Sequence, residues 1–96
     1  MSCAYLIANV DVTDAARYEG YRTLSTAAMR AHGAEICVRG GASELLEGKS
    51  LAQRTVVMKF ESLAKARAFY DSPEYRLARE ARDGACEMHM MLVEGV

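Results

Sequence analysis

The stretch "YDSPEYRLAREAR", residues 70–82, decides how the chain travels from its third strand to its last. Ser72 and Pro73 interrupt a helical pattern that restarts at once. Proline lacks an amide hydrogen and has a fixed φ, so it suits the first position of a new helix, with Ser72 as its cap. The restarted run "PEYRLAREARD" stops at Gly84, and the segment reads as two short helices meeting at a corner before the final strand. It also gathers two tyrosines and three arginines within thirteen residues, where a purely solvated helix would mix arginines with acids.

Working back towards the amino terminus, Ser62 can cap the first of the two helices, "LAKARAFYD", in which Leu63, Ala66 and Tyr70 share a face. Before it lies "RTVVMKF" (54–60), an apolar strand, and before that a short piece "SELLEG" (43–48) and a loop through Lys49 and Gln53. The short piece and the strand suit a hairpin, with "RGGASELLEG" as the turn into it. "AEICVR" (34–39) reads as a strand ended by Gly40-Gly41. Upstream, "VTDAARYEGYRTLSTAAMRAHG" reads as a helix capped by Thr13 or Asp14 and closed by Gly33. Tyr18, Tyr21, Leu24, Ala28 and Ala31 recur on its buried stripe. The apolar run "AYLIANV" (4–10) opens the chain, and "ACEMHMMLVE" (85–94) closes it. The order strand, helix, strand, strand, helix pair, strand is the split β-α-β arrangement of an α+β, ferredoxin-like fold: a four-stranded antiparallel sheet with its helices on one face.

Side chains alternate along strands, so parity sorts the sheet into two faces. One collects Leu6, Ala8, Val10, Ile36, Val38, Val56, Met58, Phe60, Met88, Met90 and Leu92 and must carry the helices. The other mixes Ile7, Val57, Met91 and Val93 with Tyr5, Asn9, Glu35, Cys37, Arg39, Thr55, Lys59, Glu87 and His89. A face that oily calls for a cover, and the simplest is a second copy of the same sheet about a two-fold axis. The expected assembly is a homodimer, with Asn9, Arg39, Lys59 and His89 lining a chamber between the sheets or marking its rim.

Composition bounds the rest. The 96 residues allow one domain, residues 1–96, which buries roughly 60–65 % of its unfolded surface and gains from a partner. Twelve basic and thirteen acidic residues leave a net charge of −1, which provides no field for nucleic acid or an anionic membrane. The longest apolar run, Met88–Val93, is broken by His89 and is too short to cross a bilayer. Three cysteines without a C-x-x-C pair fit a reducing cytoplasm better than a disulfide framework.

Several strings in order resemble the family called domain of unknown function 1330, of the dimeric α/β barrel superfamily. They are "AYLIANVDVTD" with Tyr18 and Tyr21, "RGG" at 39–41, "LEG" at 46–48, "VVMKF" at 56–60, "ARAFYDSPEYR" at 66–76, Arg82 and the closing "LVEG". "YDSPEY" is the most specific of these. Glu61 and Phe69 depart from the pattern, where the family usually has proline and tryptophan. The resemblance implies a ferredoxin-like homodimer with no established activity; the wider superfamily includes cofactor-free monooxygenases, isomerases and haem-binding members, so fold alone selects no reaction.

Tyr75, Arg79 and Arg82 fall at i, i+4 and i+7 on one helix stripe, where guanidinium forks can hold an anionic ligand or brace the corner through nearby acids. His89 shares the mixed face with Glu87, and its intrinsic pKa suits general acid or base work as readily as an interface hydrogen bond. Asn9 and Arg39 are its polar companions there. His32, beside Gly33, reads as a helix-terminal residue interacting with the last carbonyls. Cys86 and His89 point to opposite faces and cannot share a metal, so neither a metal nor a cofactor is expected. Two functions stay open: a homodimer that binds a small carbonyl, aromatic or acidic compound in an inter-sheet pocket, and a cofactor-independent enzyme, monooxygenase- or isomerase-like, using His89 as acid or base.

Overall fold

In the computed structural model, residues 2–49 and 53–96 are described. The elements are β1 (Ala4–Val12), α1 (Ala15–Ala31), β2 (Glu35–Arg39), β3 (Arg54–Phe60), α2 (Leu63–Asp71), α3 (Pro73–Ala81) and β4 (Cys86–Glu94). They form one antiparallel sheet of order β2-β3-β1-β4 with the helices on one face. This is the ferredoxin-like arrangement that the element order predicts.

Local chemistry sets the element ends. Asp14 caps α1, its carboxylate accepting from the Arg17 amide at 3.1 Å. Ser62 does the same for α2 through the Lys65 amide at 3.2 Å. At the corner, the Ser72 hydroxyl donates to the Phe69 carbonyl at 2.7 Å and accepts from the Tyr75 amide at 3.1 Å, so one buried side chain closes α2 and opens α3. A buried hydroxyl with both roles filled carries no desolvation debt. His32 ends α1 with its backbone N–H on the Ala28 carbonyl, while its ring stands edge-on to Phe69 and 3.7 Å from Glu74. Its side chain thus reaches α2 and α3 rather than the last carbonyls of its own helix.

The core lies between sheet and helices: Leu6, Val10, Met58 and Phe60 from the strands meet Tyr18, Tyr21 and Ala28 of α1 and Phe69 and Tyr75 of α2 and α3. Two stripe expectations shift. On α1, Ser25 and Met29 are buried while Leu24 is 38 % exposed and Ala31 is exposed. On α2, Phe69 joins Ala66 in the core in place of Leu63. In both helices the sheet contact is set by the neighbouring side chains, and the apolar stripe rotates to meet it.

Two further expectations are corrected. Residues 43–48 form no strand, so the hairpin is β2 with β3, joined by a long loop of which positions 50–52 lie outside the described residues. In β2, the pairing Ile36 to Met58 is followed by Val38 to Val57, so Cys37 is an extra, bulged residue. A bulge reverses the alternation beyond it. Val38 therefore joins Val57 on the open face, and Arg39 moves to the helix face opposite Val56.

With that register the open face resolves into rows. Val38, Val57, Ile7 and Met91 run across all four strands as an apolar band. On one side lies Glu35-Lys59-Tyr5-Val93, and on the other Thr55-Asn9-His89. Met91 is 57 % exposed and Val93 41 %.

Candidate functional site

The helix face contains a small cavity of about 30 Å³ between α1 and side chains from all four strands. That exceeds the roughly 10–15 Å³ one water needs. Its walls are apolar, formed by Val10, Ile36, Val56, Met58, Met88 and Met90 with the rings of Tyr18 and Tyr21. Arg22, Ser25, Arg39 and Arg54 add polar side chains to the lining, and among the described residues none of the lining side chains is acidic. A wider, more open hollow of about 360 Å³ lies along the β4 edge beside Arg67, Tyr70 and Met91.

The three guanidinium groups differ in their partners. Arg22 is bridged to Glu19 at 2.8 Å, one turn earlier on α1. Arg39, brought to this side by the bulge, donates to the Thr26 hydroxyl at 2.9 Å. Arg54 has no ion pair within 4.0 Å among the described residues, and its Nε–H is buried without a hydrogen-bond partner. Its guanidinium lies against Gly40, which has φ +68°; a Cβ there would come within 2.6 Å of the guanidinium carbon. Glycine at 40 is thus required both for backbone conformation and for the arginine's seat.

Below the cavity lies a tyrosine and arginine network. The Tyr21 hydroxyl is 2.7 Å from that of Tyr75, which is fully buried and also receives Arg82 Nη1–H at 3.1 Å and lies 3.9 Å from Met90 Sδ. The Arg82 guanidinium sits 5.1 Å from the Tyr21 ring centroid, a cation–π distance. Burial, then Tyr75, pushes the Tyr21 phenol far above its ordinary pKa. Tyr18 is also raised by burial, with the Arg54 charge acting against the shift. Burial opposes the charge on Arg82, yet Tyr75 and Tyr21 hold its pKa above the usual arginine value. Arg79 donates to the Tyr70 hydroxyl at 3.1 Å and stacks 4.4 Å from that ring. Arg79 and Arg82 are therefore bound to tyrosines, not to the neighbouring acids.

The six residues singled out by sequence do not converge on one point. Asn9 and His89 face each other across β1 and β4 on the open face, where Asn9 Oδ1 accepts from Thr55 Oγ1 at 3.0 Å and His89 is exposed. Arg39 is at the cavity, Tyr75 and Arg82 lie behind its Tyr21 wall, and Arg79 is on the outer flank of α3. Sequence reasoning missed Arg22 and Arg54 as a pair on the cavity. A signal existed for Arg54, which shares parity with Val56, Met58 and Phe60 and is the one charge in that apolar register. Among the described residues, no cluster of three His, Cys, Asp or Glu side chains is placed to hold a metal.

Residues 3–96 match the family model described as Domain of unknown function (DUF1330). The chain belongs to this family. No curated protein matches the sequence significantly. Solved structures similar to this DUF1330 chain include a protein of unknown function from Rhodopseudomonas palustris, with TM-score 0.80 and 16 % identity over 99 % of this chain and 83 % of that one. A dimeric ferredoxin-like protein of unknown function from Thermobifida fusca aligns with TM-score 0.65 and 16 % identity over 99 % and 92 %. SnoaB, a cofactor-independent oxygenase from Streptomyces nogalater, aligns with TM-score 0.62 and 12 % identity over 96 % and 91 %. At these identities the likeness to the DUF1330 chain is one of fold. Among the described residues, no helix is long and apolar enough to cross a membrane.

Proposed function

We propose that this DUF1330 protein is a cytoplasmic homodimer in which each subunit binds a small organic molecule in the cavity beneath α1. The cavity carries the reading: apolar walls with a few polar groups at fixed positions resemble the lining of a small-molecule site, and a volume of about 30 Å³ limits the occupant to a few heavy atoms. Tyr75 and Arg82 support it indirectly by fixing the Tyr21 wall. The dimer is supported by the apolar band Val38-Val57-Ile7-Met91, which no helix among the described residues covers, and by the dimeric structural neighbour from Thermobifida fusca. The free cysteines Cys3, Cys37 and Cys86 suit a reducing compartment.

A second reading, cofactor-independent catalysis with His89 as acid or base, draws support from one placement. His89 stands opposite Asn9 beside the apolar band, where a partner sheet would enclose both. The two readings use opposite faces of the sheet and separate cleanly.

The test is a thermal-shift screen of the purified protein against aromatic, carbonyl and carboxylic-acid libraries. Stabilisation by one class that is lost in Ala8→Leu, which enlarges a side chain lining the cavity, and kept in His89→Ala supports the cavity. Loss in His89→Ala alone supports the second reading. No stabilisation by any class overturns both.

A further inference from the structure

The two edges of the sheet are built differently. The β2 edge is five residues long and is interrupted by the bulge at Cys37, a device that discourages a further strand from pairing there. The β4 edge is nine residues long and keeps an unbroken register with β1, from Ala4 with Glu94 to Val12 with Cys86. It contains no proline or lysine, and Met90–Val93 carry no charge. Bonds at both ends of the ladder fix which groups face β1: the Gly95 amide donates to the Cys3 carbonyl at 2.8 Å, and the Thr13 amide to the Ala85 carbonyl at 2.8 Å. By alternation the odd-numbered residues of β4 bond to β1, so the N–H and C=O groups of Met88, Met90, Leu92 and Glu94 point outward. Among the described residues, β1 is the only strand that pairs with β4.

The side chains at this edge are uncovered as well. On the helix face, the hollow of about 360 Å³ opens onto Leu6, Met90 and Leu92 beside Tyr70 and Arg67, and Met90 and Leu92 stay half-buried. On the open face, Met91 ends the apolar band and also lines the hollow. Outward backbone groups flanked on both faces by apolar side chains are a template for one more strand.

We infer that β4 pairs antiparallel with β4 of a second copy, about a two-fold axis at Met91, so that two four-stranded sheets become one. The strand is self-complementary in that register. Met90 falls opposite Leu92 of the partner subunit and Met88 opposite Glu94 of the partner subunit, and all of these carry the outward groups that a ladder needs. On the open face Met91 meets the partner's Met91, which doubles the length of the apolar band. His89 falls opposite Val93 of the partner subunit, so no like charges meet across the seam, and Arg67 at its rim is already paired with Asp71 at 3.0 Å. The seam goes beyond the open-face homodimer and uses a different surface. Where the open-face axis runs along the band, the two axes cross at Met91 and the assembly closes as a tetramer.

The experiment is sedimentation of the full chain over a range of concentrations, with amide hydrogen exchange in β4 followed by NMR. The amides of Met90 and Leu92 should exchange at least roughly 10-fold more slowly at high concentration than at low, while that of Met91, already bonded to β1, changes less. Leu92→Pro removes an outward N–H and leaves the β1 ladder intact. It should weaken association roughly 10- to 100-fold, since each seam loses two hydrogen bonds. A tetramer that Leu92→Pro splits into dimers supports the seam and leaves the open-face dimer standing. A dimer that it splits into monomers supports the seam and removes the open-face dimer. An assembly that folded Leu92→Pro leaves unchanged overturns the seam, as does exchange of Met90 and Leu92 that ignores concentration. Protection of those amides by a co-purified peptide at constant subunit number assigns the edge to a foreign strand and overturns it too. A parent that stays monomeric overturns both interfaces. If Leu92→Pro does not fold, exchange in the parent alone decides.

Discussion

Tyr21 and Tyr75 share a hydrogen bond of 2.7 Å between buried hydroxyls although 54 positions separate them in the chain. The bond ties α1 to α3 across the core, and Arg82 closes it from the solvent side at 3.1 Å from Tyr75. Replacing Tyr75 with phenylalanine preserves the packing and strands two donors, Tyr21 O–H and Arg82 N–H. The expected loss is about 1–3 kcal/mol of unfolding free energy, measured by urea denaturation. A change within about 0.5 kcal/mol would show that the bond contributes little.

The raised pKa of Tyr21 sets an alkaline limit. Its phenol ionises near the ordinary value of 10.0 once the chain unfolds but far less readily in the fold. The unfolded state therefore releases the proton first. This contribution to stability is complete below pH 10 and is lost as pH rises above it. Tyr21→Phe should flatten the alkaline fall in stability, followed by denaturation alongside tyrosinate absorbance.

Glu74 acts at the other end of the pH scale. Its pKa is lowered, first by a hydrogen bond from its own backbone N–H at the start of α3; desolvation opposes this, and His32 and Ser72 lower it further. A depressed carboxyl pKa adds stability above the ordinary carboxylate value and loses it as pH falls through the folded one. Glu74→Gln should thus be less stable than the parent at neutral pH, with the difference closing in acid. A difference independent of pH would point to packing instead.

The apolar band on the open face predicts what a single charge would do. Met91→Arg places a cation at the β4 end of the row formed with Ile7, Val57 and Val38, twice per two-fold interface. The dimer dissociation constant should rise by at least roughly 100-fold, read by analytical ultracentrifugation, with the far-UV circular dichroism unchanged. A parent chain that sediments as a monomer at working concentrations refutes the dimer outright.

Cys37 has no partner of its own in the ladder, since its neighbours pair as Ile36 to Met58 and Val38 to Val57. Deleting it should leave every other pairing intact, keep Arg39 on Thr26, and change stability by less than about 2 kcal/mol. Deleting Val57, which pairs on both sides, should prevent folding because it slips a central strand by one residue. Denaturation of the two variants decides this.

Capping, parity and breakers determined the elements from sequence alone. Asp14, Ser62, Ser72 and Pro73 act through bonds that span three or four residues, so the helix starts and the corner could be read locally. The order of elements then left little choice of fold. What tertiary structure decided lies wherever distant residues compete for one place. The bulge at Cys37 comes from how β2 must pair with β3, and it reverses Arg39 and Val38 in a way no alternation rule contains. Arg79 finds the Tyr70 hydroxyl of α2, and the guanidinium of Arg82, already on the Tyr75 hydroxyl of α3, lies against the Tyr21 ring that α1 brings across the core. Arg54 is isolated over Gly40 for the same reason: a side chain's partners depend on which elements pack around it, and short-range sequence carries no record of that distance.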